Sequence, residues 1–127
     1  MKIRQGFVSN SSSSSFVIIA KPGIYSIEEE VKKAIITESN NFWYELSKEA
    51  AKILWNNANE ITLQEIYENS DGHHELVNEK EMEYLRNGGN LFEGVISDED
   101  GAIEAMLCGI GINYENNRII IYKDKEY

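Results

Sequence analysis

At 127 residues, with 42% apolar and 27% charged side chains, the chain has the size and make-up of one globular domain with a real core. That composition is close to ordinary globular usage and argues against disorder overall. A single cysteine, Cys108, excludes an internal disulfide, and a net charge of −10 argues against the basic surface that direct nucleic-acid binding requires. No stretch approaches the ~20 apolar residues of a membrane span, and Phe16 to Ala20 is too short for a signal-peptide core, so a cytoplasmic protein is expected.

The chain opens on Arg4-Gln5-Gly6-Phe7-Val8-Ser9-Asn10, followed by the unbroken run Ser11 to Ser15 and then Phe16-Val17-Ile18-Ile19. Serine runs are ordinarily solvated linkers, but this one lies between two apolar clusters and should be tied to the fold on both sides. Phe16 to Lys21 is rich in β-formers and is stopped by Pro22-Gly23, a turn dipeptide, which predicts a strand. Ser26 with Glu29 makes a capping-box pattern ahead of a helix over 27–38. After Ser39-Asn40-Asn41, a second helix is expected from Phe42 to Asn56. Trp43, Leu46, Ala50 and Ile53 recur on one side of it, with Lys48 and Lys52 on the other. On such a helix Trp43 and Trp55 read as core rather than as a ligand-stacking pair.

Thr62 with Glu65 repeats the capping box, bracketed by Ile61 and Ile66, and predicts a short helix to about Glu68. Asn78 with Glu81, bracketed by Val77 and Met82, predicts another, ended near Asn87 by Gly88-Gly89. Leu91 to Ile96 reads as a strand, Ser97 to Asp100 as a turn and helix cap, and Ala102 to Cys108 as a helix. Ile112 to Glu115 and Arg118 to Lys123 then form a hairpin about Asn116-Asn117. Ile119-Ile120-Ile121 is apolar without alternation, so that strand should be covered on both faces. The sum is one α+β domain over 1–127. It has an N-terminal strand or hairpin, a helical middle and a C-terminal β-α-β-β unit, in one mixed or antiparallel sheet.

Charge is distributed unevenly. Residues 60–100 hold twelve carboxylates against Lys80 and Arg86, which accounts for the whole net charge, while the remainder holds ten groups of each sign. Such a segment suits a partner with a basic surface, although helix caps and solvated helix faces also use carboxylates. The candidate contacts are Glu75, Glu79, Glu83, Asp98, Glu99 and Asp100. A second candidate site is the serine segment, Asn10, Ser11, Ser12, Ser13, Ser14 and Ser15. Its hydroxyl and backbone donors suit an anion, a modification or a recognition strand, or else simply satisfy local backbone groups.

Catalytic signals are weak. His73-His74 is an adjacent pair, which does not converge on one metal, and His74-Glu75-Leu76-Val77-Asn78 lacks the second ligand of a zinc-peptidase helix. Asp98-Glu99-Asp100-Gly101 lacks the spacing of a calcium loop, and Cys108, among Met106, Leu107 and Ile110, reads as a buried thiol. No glycine pattern matches a phosphate loop. Neither a catalytic residue, a metal site nor a cofactor is expected.

The thirteen residues Arg4 to Phe16 resemble the opening of a loose group of small uncharacterised proteins of bacteria and their phages, which begin G-F-V-S-N-S-S-S-S-S-F and continue into an apolar strand. Leu91 to Ile112, with its acidic turn and Ile110-Gly111-Ile112, is similar to their usual ending. The resemblance implies a phage-like setting and carries over no catalytic residue. The leading expectation is therefore a small acidic intracellular protein that binds a host protein, as an inhibitor or nucleic-acid mimic, through residues 60–100. The alternative is a module for a phosphate or nucleotide-like ligand, or a modest enzyme, using the serine segment. A third is a homo-oligomer pairing through an exposed Phe16–Lys21 or Arg118–Lys123 edge.

Overall fold

The computed structural model describes residues 13–38, 44–70 and 77–123. Five strands form a single sheet: β1 (Ser13–Ala20), β2 (Asn59–Ile61), β3 (Asn90–Ser97), β4 (Ile112–Glu115) and β5 (Ile119–Lys123). Their order across the sheet is β2-β3-β1-β5-β4, and every pairing is antiparallel. The helices among the described residues are α1 (Ile27–Glu38), α2 (Tyr44–Asn56), α3 (Leu63–Ser70), α4 (Glu79–Arg86) and α5 (Ala102–Cys108). The fold is α+β, as expected, with the sheet resolved as wholly antiparallel. No described helix is long and apolar enough to cross a membrane.

Alternation along β1 sorts the chain into three layers. Phe16 and Ile18 face a core shared with Val31 and Ile35 of α1, Ala50 and Leu54 of α2, and Leu107 of α5. Val17 and Ile19 face the opposite core, with Ile66 of α3 and Met82 and Leu85 of α4. Because β1 is central and covered on both sides here, its apolar run needs no alternation. The same holds for β5: Ile119 and Ile121 enter the first core and Ile120 the second. Each of these large side chains, fully buried, contributes roughly 1.5–3 kcal/mol. Trp55 packs against the first core, edge-on to Phe92 at 4.9 Å, so it is a core residue as expected. Trp43 lies outside the described residues.

The helix ends are set by local chemistry that the sequence announces. The Asn78 side chain accepts the Glu81 N–H (2.8 Å) while the Glu81 carboxylate accepts the Asn78 N–H (3.1 Å). Thr62 and Glu65 make the same reciprocal pair, at 2.8 and 3.2 Å. At Ser26 only one half forms, the Glu29 N–H donating to its hydroxyl at 3.3 Å. Past α4, Gly88 adopts φ +108°, the left-handed residue that ends the helix. The Gly89 N–H donates to the Tyr84 carbonyl (2.8 Å) and the Gly88 N–H to that of Leu85 (3.3 Å), the paired bonds of a Schellman ending. A side chain at Gly89 would stand 2.4 Å from the Ala20 carbonyl oxygen, so this glycine also lets α4 close onto β1.

Several expectations are corrected. The first strand starts three residues earlier than its apolar run, inside the serine segment. β2 was not expected: three residues, Asn59-Glu60-Ile61, are too few to show a period, and only pairing with β3 makes them a strand. The hairpin pivots one residue later than predicted. Asn116 pairs with Ile119 through its N–H (3.0 Å), so Asn117 and Arg118 form the loop. The Asn116 side-chain oxygen accepts the N–H groups of Arg118 (2.7 Å) and Ile119 (2.9 Å), which replaces backbone tolerance by a side-chain turn. Finally, β1 is flanked by β3 and β5, and β5 by β1 and β4, so neither is an edge strand available for pairing between chains.

Candidate functional site

The structure brings two of the sequence's candidate features together at one end of the sheet. Ser13, Ser14 and Ser15 are the first residues of β1 and pair with Ser97, Ile96 and Val95 at the end of β3. The acidic turn Asp98-Glu99-Asp100 follows directly. Serine is a poor strand former on its own, and here the ladder to β3 holds it extended. Ser14 is buried on the Phe16 face, while Ser13 and Ser15 fall on the Val17 face. Asn10, Ser11 and Ser12 lie outside the described residues, as do Glu75 and the His73-His74 pair.

Ser97 shapes the turn. Its hydroxyl accepts the Glu99 N–H (3.2 Å), and its carbonyl accepts the Asp100 N–H (3.2 Å). The expected cap role of the acidic residues is corrected: the N-cap of α5 is Gly101, which makes no side-chain cap bond. A Glu104 carboxylate oxygen stands 2.4 Å from where a Cβ on Gly101 would be, so the carboxylate that folds back over the helix start comes from inside α5. Glu99 and Asp100 are exposed, and no described base is bonded to either.

On the Val17 face, α3 and α4 cover Val17, Ile19, Leu91 and Ile120. Val95, opposite Ser15 of β1 and beyond the β2 pairing that ends at Glu93, is 54% exposed, and Ser15 is exposed as well. Lys123 pairs with Phe16 at the end of β5, is buried, and its ammonium donates to the Ile110 carbonyl. Cys108 is buried nearby, its thiol donating to the Ile96 carbonyl at 3.4 Å, as its apolar sequence setting predicts.

The remaining acidic candidates, Glu79 and Glu83, are held differently. The Arg86 guanidinium donates to both, to Glu79 at 2.8 Å. Hydrogen bonding to Tyr67, Glu79 and Glu83 pushes the Arg86 pKa further above its ordinary value. Glu81 in the same helix is buried, accepting from the Asn78 N–H and the Tyr122 hydroxyl. That hydrogen bond, with burial, pushes the Tyr122 phenol up to about 12. Charge that looks continuous in the sequence is therefore largely tied down on α4 and projects to solvent at the β3–α5 turn.

Sequence reasoning missed a polar cluster at the opposite end of the sheet. Glu30 is 1% exposed and accepts from Asn116 (2.8 Å), Arg118 (3.0 Å) and Lys33 (3.3 Å). Burial works against its charge, but the three donors outweigh it and hold the carboxyl below its usual range. The signal was present: Glu30 sits within the Ile27, Val31, Ala34, Ile35 stripe, and a carboxylate in an apolar stripe needs partners. Lys21 donates to Glu115 and to the Asn116 carbonyl, both at 2.7 Å, with its ammonium 5.0 Å from the Tyr84 ring centre. The Tyr25 hydroxyl lies within hydrogen-bond distance of the Lys21 and Arg118 carbonyls. These contacts close the hairpin onto α1 and the end of β1.

A concavity of about 230 Å³ lies between α1 and α2, rimmed by Glu28, Glu29, Lys32, Lys48, Glu49 and Lys52 over Ala51. It is smaller than the roughly 300–1,000 Å³ of ordinary ligand pockets and lacks their apolar lining. Among the described residues, no three His, Cys, Asp or Glu side chains are grouped to hold a metal ion. No protein-family model, curated protein or solved structure matches the chain.

Proposed function

We propose that the protein is a small acidic binding protein from a phage-like setting, and that it acts by engaging a basic surface on a host protein. The observation that carries this reading is the concentration of the whole net charge in residues 60–100. The Asp98–Asp100 turn supports it, because Glu99 and Asp100 are exposed and the N-cap of α5 is Gly101 rather than either of them. Carboxylates placed in this way compete for lysine and arginine side chains that otherwise meet phosphate, which makes inhibition by mimicry the expected mode of action. The setting rests on the resemblance of the segment from Arg4 to Phe16.

The test is affinity capture by the full chain from a bacterial lysate at low and high salt, read by mass spectrometry. One stoichiometric partner, lost at high salt and lost with the charge reversals Glu99→Lys and Asp100→Lys, is the expected result. Capture that is indifferent to both salt and charge reversal would sink the reading. The serine-ligand alternative draws less support, because Ser13 to Ser15 run in a strand ladder rather than curling their N–H groups around an anion.

A further inference from the structure

We propose that Asn87 is a site of spontaneous covalent modification. Its side-chain amide is lost by cyclisation onto the Gly88 nitrogen, which leaves aspartate or isoaspartate at position 87 and loosens α4 from β1. The site does not depend on what the acidic surface binds.

Asn87-Gly88 is the one Asn-Gly pair in the chain. A glycine after asparagine matters because no side chain shields its backbone nitrogen, and its backbone reaches conformations that other residues avoid. Asn87 is exposed, and no described group hydrogen-bonds its side-chain amide. A Cβ on Gly88 would find no atom within 4 Å, so the space beside its α-carbon is open to water. The other asparagines whose side chains are described are held or shielded. The Asn57, Asn59, Asn90 and Asn116 amides donate to the Ile53 carbonyl, the Asn57 carbonyl, Glu60 and Glu30, and the Asn78 side chain accepts the Glu81 N–H. Asn56, Asn113 and Asn117 precede Asn57, Tyr114 and Arg118, whose side chains crowd the nitrogen that would attack.

Water is the only co-reactant. The Gly88 nitrogen gives up its proton and bonds to the Asn87 Cγ, the Cγ–Nδ2 bond breaks, and ammonia leaves with that proton. Water then opens the five-membered imide at one of its two carbonyls. Opening at Cγ restores a normal chain with aspartate. Opening at the main-chain carbonyl routes the chain through the side chain as isoaspartate, one carbon longer. Asn87 sits at φ −97° and ψ 15°, which does not align Cγ with the Gly88 nitrogen, so the last turn of α4 must open first. That opening breaks the 3.3 Å bond from the Gly88 N–H to the Leu85 carbonyl, at a helix end, where local opening costs least.

The isoaspartate product cannot close again as before. The Gly89 N–H donates to the Tyr84 carbonyl at 2.8 Å, and an ideal Cβ on Gly89 would stand 2.4 Å from the Ala20 carbonyl oxygen. An extra backbone carbon two residues earlier has no slack to be absorbed there. The new carboxylate also lies at the C-terminal end of α4, against the helix dipole and one turn from Glu83.

The experiment ages the full chain in mildly alkaline buffer and follows it by peptide mapping with mass spectrometry and by methyl transfer from an isoaspartyl methyltransferase. The peptide holding Asn87 is expected to gain about one dalton and to accept the methyl label, converting at least about tenfold faster than Asn56, Asn113 or Asn117. Asn87→Ser, which has no amide to lose, should show neither change there. The isoaspartate form, separated by chromatography, should melt about 5 °C below the unmodified chain. Asn87→Asp carries the charge without the longer backbone, and should lose less than about half as much. Asn87 left intact, or outpaced by Asn56, Asn113 or Asn117, would overturn the site. An isoaspartate form that melts with the unmodified chain, or with Asn87→Asp, would overturn the loosening of α4.

Discussion

The two ends of the sheet use the same kinds of side chain in opposite ways. At the end where β1 finishes and the β4–β5 hairpin turns, acids and bases are interleaved. Glu30 holds Asn116, Arg118 and Lys33, Lys21 holds Glu115, and the Arg118 guanidinium lies 5.5 Å from the Tyr25 ring centre. At the end where β1 begins, the described residues include Ser13 to Ser15, Ser97 and the exposed Glu99 and Asp100, Lys123 is buried with its ammonium on the Ile110 carbonyl, and Val95 is 54% exposed. Polar groups lock a fold where both signs and the right geometry are present. Where one sign stands alone they add little to stability, and they remain available to a partner.

The sharpest way to break this contrast is at the locked end. A methyl group at Gly89 would meet the backbone oxygens of Ala20 and Tyr84, 2.4 and 2.8 Å from the ideal Cβ, and neither can rotate away. Gly89→Ala should therefore cost about 3 kcal/mol in urea denaturation, as overpacking against backbone does. A loss below about 1 kcal/mol would mean that α4 can shift on β1, and that the closure seen here is not tight.

Next comes Glu30→Ala, for which we expect a loss of about 2–3 kcal/mol near neutral pH. The carboxylate is buried, but Arg118 and Lys33 are about half exposed and recover water when it is gone, which keeps the effect below that of a fully buried pair. The pH dependence has a definite sign. The folded-state pKa of Glu30 lies below its unfolded value, so its contribution is complete above the ordinary carboxylate range and is lost as pH falls through the lowered value. Wild type and Glu30→Ala should thus converge in stability toward acid. Parallel curves from neutral pH to pH about 3 would contradict the charged, hydrogen-bonded state assigned to Glu30.

How much of this contrast was legible in the sequence depends on whether the cause is local. The caps at Thr62 and Asn78, the glycine ending after α4 and the helix over 102–108 were all readable, because each depends on residues within one turn. The doubly covered β5 was readable from three consecutive isoleucines. What was not legible came from pairing at a distance. Ser13 to Ser15 become a strand because β3, some eighty residues later, accepts them, and β2 exists only through the same strand. The acidic segment misled in a related way: its carboxylates are neighbours in sequence, but Arg86, Asn78, Asn90 and Tyr122 claim several of them individually. Among the described acidic candidates, Glu79 and Glu83 are held by Arg86, whereas Glu99 and Asp100 are exposed and cap no helix.

A middle case is the Tyr122 hydroxyl on Glu81, which joins β5 to α4. Tyr122→Phe should cost about 1–1.5 kcal/mol, since Glu81 keeps its cap bond to Asn78 and loses only the phenol. The phenol's pKa is raised to about 12, so its contribution is present below the unfolded tyrosine value near 10 and is lost as pH rises toward 12. The variant should therefore lose less stability than wild type across that alkaline interval. An equal loss would mean that the bond is not kept in solution.

The smallest effect should come from the end where β1 begins. In the double variant Glu99→Gln with Asp100→Asn, no described base loses a partner and no helix loses a cap, since the N-cap of α5 is Gly101. What changes is the mutual repulsion of carboxylates in the 98–100 turn, so stability at low salt should stay level or rise by up to about 0.5 kcal/mol, and the gain should vanish at high salt. Thermal melts at two salt concentrations read this directly. A destabilisation of 1 kcal/mol or more would place these carboxylates among the groups that hold the fold. The two ends of the sheet would then differ in detail rather than in kind, and the turn would no longer be a surface that can change without harming the fold. Near-neutrality has the opposite force: residues whose charge the fold does not use, and which repel one another in its absence, are placed where only a positively charged partner makes them favourable.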